Sequence, residues 1–167
     1  MNIYVGVTDY DWLVFLKSKS FPRVNFWCPS GLLAPKTLKR GDIFLFKLHK
    51  ADGDCICGGG FFEKTFQLSC HSAWDEFGQQ NGAQTFLDMK AKLGKYSGKH
   101  GVGTEEGYVG CTILERPFFF SNDNCIARPE GWSDGVVRGK TYFPVGKTST
   151  VYSKLYAQVH ERLSRVG

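Results

Sequence analysis

The sequence predicts a single α+β domain: a curved or closed mixed β-sheet, a small barrel at the limit, with flanking helices. Three observations carry this. The chain has 167 residues, enough for one domain with one sizeable core. Its apolar residues switch repeatedly between period-2 and period-3.6 spacing, giving roughly five to seven strands with three or four helices inserted among them. Aromatics reach 15%, with 14 Phe, so the core should be built largely from rings.

Asn2 to Val7 alternate and are β-rich, so they form a strand. Thr8 or Asp9 caps a helix running to about Lys17, with Trp12, Phe15 and Leu16 on one face. Val24 to Trp27 is a short strand, broken by Pro29-Ser30-Gly31. A loop from Cys28 to Leu38 leads to the turn Lys39-Arg40-Gly41-Asp42 and a strand from Ile43 to Leu48. Ala51-Asp52-Gly53-Asp54 is a hairpin-like turn. Cys55 to Phe66 is a long strand, and Gly58-Gly59-Gly60 inside it marks a bulge or a close backbone approach.

Ser69 to Phe77 and Thr85 to Leu93 read as helices that stop at Gly78 and Gly94. Lys95 to Gly107 lacks periodicity and reads as a mobile loop. Tyr108 to Leu114 is a core strand, and Pro117 to Phe120 continues the sheet after a kink. Asn122 to Gly139 is mostly loop, with a short strand at Val136-Val137. Val151, Leu155 and Val159 recur at i+4 in the clearest helix, Thr150 to Leu163.

Several function classes fall away. Gly146-Lys147-Thr148 ends like a Walker A loop, but Thr141 stands where the leading glycine belongs. Gly101-Val102-Gly103 is followed by Glu106 where a dinucleotide fingerprint needs a third glycine. The four histidines show no HxxxH spacing and no His-Asn-His nuclease constellation. No pair of carboxylates stands out for acid-base chemistry, and no catalytic residue is assigned. None of the six cysteines forms CxxC, and Cys55 and Cys57 point to one face of their strand, so free, reduced thiols and no metal or other cofactor are expected. No basic n-region or long apolar run opens the chain, which suggests a cytoplasmic protein with no membrane partner.

The net charge of +5 is compatible with a polyanion. Basic residues cluster at Lys36, Lys39 and Arg40, at Lys90, Lys92, Lys95 and Lys99 beside His100, and at Arg138, Lys140 and Lys147. On loops around one mouth, Lys36, Lys39, Arg40, Lys95, Lys99, His100, Lys140 and Lys147 would track phosphates. Trp12 suits the core. Trp27 differs, because a strand end followed by Cys-Pro-Ser-Gly can form one wall of a pocket for a flat ring. Asn25, Ser30 and Asp9 are candidate readers of that ring's edge, although Ser30 and Asn25 also suit local turn bonds and Asp9 a helix cap. Trp74 is a candidate second wall.

With these residues in view, the chain resembles the N-terminal domain of bacterial HNH restriction endonucleases. The stretches that carry the likeness are Ile3 to Trp12, Val24-Asn25-Phe26-Trp27 with Pro29-Ser30-Gly31, and Leu38 to His49. They continue with Gly58-Gly59-Gly60-Phe61-Phe62, Ser72-Ala73-Trp74, Phe77-Gly78, Asn81-Gly82, Gly110-Cys111 and Gly139-Lys140-Thr141-Tyr142. The order of these elements is similar to the PUA-like superfamily, which includes the SRA, EVE and YTH readers. The resemblance implies a PUA-like domain over 1–167 that binds double-stranded DNA carrying a modified, flipped base, in phage defence. It places an HNH nuclease in a C-terminal domain that this chain does not reach, with a homodimer formed through that nuclease. Methylcytosine, hydroxymethylcytosine, methyladenine and a sulfur-bearing backbone would all be served by such a pocket. Two alternatives stay open: an RNA-binding PUA-like module, and an enzyme with a small-molecule pocket that uses Cys111 or Cys70.

Overall fold

The structure, a computed structural model, describes residues 1–97 and 107–165. Among these residues the order is β1 (Ile3–Thr8), α1 (Tyr10–Lys17), β2 (Arg23–Cys28), β3 (Ile43–Leu48), β4 (Cys55–Ser69), α2 (Cys70–Phe77) and α3 (Phe86–Ser97). There follow β5 (Tyr108–Phe119), β6 (Ile126–Ala127), β7 (Gly139–Tyr142) and α4 (Ser149–Ser164). One sheet runs β2-β5-β4-β3-β1-β7, with β6 added to β4. β1 and β3 are parallel, and every other pair is antiparallel. The expected α+β class with a mixed, curved sheet is what the chain adopts, and the sheet stays unclosed.

Curvature comes from β4 and β5. A Cβ on Gly59 would stand 2.5 Å from the Phe44 carbonyl oxygen and 2.8 Å from the Phe118 ring, so only glycine allows the strands this close. The register between β4 and β5 slips beside it, between Gly59 and Phe61 and again between Phe62 and Lys64. The bend brings Phe26 of β2 to 4.8 Å from Phe44 of β3, ring centre to ring centre, although two strands lie between them in the sheet.

Side-chain alternation divides the interior. Ile3, Val5, Ile43 and Leu45 face α4, which buries Leu155 and Val159 against them. Tyr4, Phe44 and Phe46 face the other way and pack with Trp12, Leu13 and Leu16 of α1. β3 is therefore buried along its whole length, because both of its faces are covered. A third cluster joins Ala73 and Phe77 of α2 and Met89 and Leu93 of α3 to Val109, Cys111 and Ile113 of β5.

As expected, β5 continues the sheet past Pro117 after an irregularity: its ladder to β4 skips Arg116 and Pro117, and Arg116 takes φ +47 there. Three expectations need correction. Val136-Val137 is not a strand, whereas β6 and β7 are. α3 passes through Gly94 to Ser97 instead of stopping before it. The loop expected from Lys95 to Gly107 begins as helix, and its residues 98–106 lie outside the described residues. Among the described residues, no helix is long and apolar enough to cross a membrane.

Candidate functional site

The unclosed side of the sheet holds a cavity of about 280 Å³. β1 supplies Tyr4 and Thr8, α1 supplies Trp12, and β2 supplies Phe26 and Trp27. Residues 28–35 form part of the wall, and Asp9, His49, Lys92 and Arg138 add polar groups. Much of the lining is thus aromatic, with a few polar groups, which is the composition of a ligand site.

Two indoles are fixed by one pair of asparagines. Trp27 Nε1 donates to the Asn81 carbonyl oxygen at 2.8 Å, and Trp12 Nε1 donates to the Asn25 carbonyl oxygen at 3.3 Å. Asn25 Nδ2 donates to Asn81 Oδ1 at 2.9 Å, and Asn25 Oδ1 accepts from the Thr112 amide at 3.1 Å. Asn81 Nδ2 donates in turn to the carbonyls of Ala73 and Gly78. Both asparagines are fully buried, so each bond here is worth more than it would be in water, and losing one strands its partner. Gly82 completes the seat: at φ +79 it lies so close to the Trp12 indole that a Cβ would overlap the ring.

The placements of the expected base-pocket residues differ. Trp27 is half-buried and lines the cavity. Ser30 is exposed on the lining, with its hydroxyl 3.1 Å from Cys28 Sγ. Asp9 precedes α1 but makes no side-chain cap bond; its Oδ1 stands 3.4 Å from His49 Nε2, and both residues line the cavity. Asn25 is not an edge reader, because its amide is turned into the protein and held there. Trp74 is not a second wall: it packs against Phe86, ring centres 6.4 Å apart, in the cluster under α2 and α3. Trp12, expected in the core, is buried and also lines the cavity.

Among the described residues, none of the expected phosphate-tracking residues lines the cavity. Lys36 and Lys39 are exposed on the segment between β2 and β3, and Arg40 pairs with Glu115 at 2.8 Å. Lys95 is exposed on α3. Lys140 lies over the Tyr142 ring at 5.4 Å, on the sheet face that α4 covers, and Lys147 sits in the turn leading into α4. Lys99 and His100 lie outside the described residues. The cations that do line the cavity are Arg138 and Lys92. Arg138 Nη2 donates to the Leu33 carbonyl oxygen at 3.4 Å, linking the segment before β7 to the loop after β2. Lys92 Nζ donates to the Gly82 carbonyl oxygen at 3.0 Å; burial holds its ammonium below the usual lysine range, opposed by the charges of Asp11 and Asp9.

Tyr4, Thr8, Phe26 and His49 carried no signal of their own in the sequence, beyond Phe26 standing next to Trp27. Burial pushes the Tyr4 phenol up, and Arg138 partly counters it. Cys70 and Cys111, the candidate nucleophiles of the enzyme alternative, do not line the cavity, and burial raises both thiols. What the cavity can do is hold a planar ring against fixed aromatic faces and present hydrogen-bonding groups to its edge.

The architecture is a mixed α+β fold: a curved, unclosed sheet of seven strands with four α-helices among the described residues. No protein-family model and no curated protein matches the chain. Among solved structures it is similar to a mutant of the ZmASCH protein from Zymomonas mobilis, with a TM-score of 0.54 over 93% of this chain and 94% of that one. Identity between the two is 9%, so the likeness establishes the fold.

Proposed function

We propose that the chain is a nucleic-acid reader that takes one extruded, modified base from duplex DNA into the cavity. One observation carries the reading: an open cavity of about 280 Å³ beside an indole that is held in place by its own ring nitrogen. That volume lies just under the range of roughly 300–1,000 Å³ that holds drug-sized ligands, so it suits a single ring system with small substituents. The base would lie against Trp27, with Phe26 and Trp12 behind it and Thr8, Asp9, Ser30 and His49 available to its edge.

Magnitudes assign the labour. Extruding a base costs a few kcal/mol. Stacking on one aromatic returns about 1–3 kcal/mol. The two nearly cancel, so net affinity must come from phosphate contacts, and preference for a modification from the groups at the ring edge. Leu32 and Val137 line the cavity and are 49% and 80% exposed, which leaves apolar surface to lie against the unstacked step. In a longer protein such a reader would serve a modification-dependent HNH restriction endonuclease; the sequence resemblance supports that role.

The test is a binding titration against matched duplexes that differ in one modification, at two salt concentrations, with single-stranded RNA as a further arm. Tighter binding to one modified duplex is expected. Trp27→Ala should weaken binding to the preferred duplex by about tenfold for each 1.4 kcal/mol of stacking lost, until base extrusion no longer occurs and the preference goes with it, while salt-sensitive background binding remains. Equal affinity for modified and unmodified duplexes would sink the modified-base reading. Preference for RNA would move the module to RNA binding.

A further inference from the structure

We propose that Cys55, Cys57 and Cys125 form a binding site for a thiophilic metal ion, Zn²⁺ or Cu⁺, separate from the cavity. The sheet assembles the site. β4 sets Cys55 and Cys57 two residues apart, on one face of the strand. β6 pairs with β4 as Cys55 with Ala127 and Ile56 with Ile126, so one more step of that register sets Cys125 opposite Cys57. The Cys55 and Cys57 sulfurs are 3.5 Å apart, those of Cys57 and Cys125 are 2.8 Å apart, and all three lie within 4.8 Å of one another. A metal–sulfur bond of about 2.3 Å places ligand sulfurs roughly 3.8–4.0 Å apart, so small rotamer adjustments suffice to seat the ion.

The donor set selects the ion. Thiolates favour zinc and monovalent copper over hard cations such as magnesium and calcium, which take oxygen ligands. Three sulfurs satisfy a three-coordinate Cu⁺, or hold Zn²⁺ with an exogenous fourth ligand. Cys57 is buried, while Cys55 and Cys125 are half-buried and leave a way in from solvent. The Lys17 ammonium acts on Cys125 and donates to the Phe120 carbonyl oxygen at 2.8 Å, so a positive group stands ready beside the extra negative charge of a metal trithiolate. The ion would also have a structural use. β6 is two residues long and lies in an otherwise irregular stretch, and a metal bond from Cys125 to β4 would fasten it.

The experiment uses the full chain, reduced with a phosphine that adds no thiol. Co²⁺ is titrated as the absorbing stand-in for Zn²⁺, and Cu⁺ is supplied from a buffered complex with a competing chelator. One equivalent of either ion should bind, with a thiolate-to-metal charge-transfer band and a rise in melting temperature. Losing an outer-sphere partner typically weakens a metal site about 10–100-fold, so Cys125→Ser, which removes a ligand, should weaken it by more. Cys125 is half-buried, and the metal-free melting temperature of the variant shows whether its fold is intact. Failure of both ions to bind at stoichiometric concentration, or a band that survives in a folded Cys125→Ser, overturns the proposal.

Discussion

Tyr142 shows what a single buried atom can decide. Its hydroxyl is buried and, among the described residues, is the one buried side-chain oxygen or nitrogen without a hydrogen-bond partner. The ring packs with Ile3, Val5 and Leu155, so the hydroxyl was stripped of water for nothing in return. Such a group costs about 1–3 kcal/mol, and Tyr142→Phe should raise the unfolding free energy by about that much in a urea titration. Burial also pushes the phenol from 10.0 up to about 12. The neutral form is the one the fold favours, so this contribution is intact below pH 10 and is lost as pH rises from 10 toward 12, while the unfolded chain ionises. The variant should therefore lose less stability across that alkaline window than the parent. A destabilised Tyr142→Phe would mean that the hydroxyl has found a partner.

Residues also show where sequence reading reaches its limit. Trp27 was legible as a cavity residue because Pro29-Ser30-Gly31 ends its strand and leaves the indole at an edge. Asn25, two residues earlier on the same strand, was a candidate to read the edge of the same ring. What decides between the two is Asn81, 56 residues later, whose side chain takes the Asn25 amide while its carbonyl takes the Trp27 indole. No local pattern announces that partner. His49 was hidden for the same reason, and Arg138 and Lys92 were visible only as members of basic clusters: what brings each to the cavity is a fold-level approach of distant segments.

At the scale of elements, the β3–β4 hairpin is closed by an ion pair. Lys47 is 3% exposed, and its ammonium lies 2.6 Å from Asp54 Oδ1, donates to the Leu48 carbonyl oxygen and stands over the Trp132 ring. Asp54 takes φ +55 at the hairpin, a conformation that asparagine also tolerates. Asp54→Asn therefore keeps the backbone and removes the charge that faces both Lys47 and Arg128, whose Nη1 lies 3.4 Å from Asp54 Oδ2; the buried ammonium of Lys47 is left without its counter-ion, while Arg128 keeps Asp134. A loss of roughly 3 kcal/mol is expected on denaturant unfolding, and Lys47→Met in the same background should restore much of it. An unchanged midpoint in Asp54→Asn would show that Lys47 reaches water. Elements with strong internal patterns were readable from sequence: β1, β3, β4 and α4 fall within a few residues of their expected positions. β7 was not, because Gly-Lys-Thr-Tyr has no strand signature, and its extension comes from pairing with β1. Gly94 misled in the opposite sense: the helix passes through it on the anchorage of Met89 and Leu93, which outweighs a glycine penalty of about 1 kcal/mol.

For the whole molecule, the +5 charge says less than where the charges sit. Lys140 lies on the face that α4 covers and Lys147 in the turn beside it, while Arg138 and Lys92 line the cavity. If nucleic acid enters through the cavity mouth, only the second pair contributes to counterion release, and each phosphate contact adds about 0.9 to the slope of log K against log salt. Arg138→Gln is then expected to flatten that slope by about one. Lys140→Gln combined with Lys147→Gln should leave it nearly unchanged, although the double variant removes twice the charge. A general attraction between a basic protein and a polyanion would rank them the other way, because it counts charges and ignores their positions. Slopes measured for the three proteins on one duplex separate the two cases. A larger loss in the double variant would place the nucleic acid on the α4 side and leave the cavity out of its path.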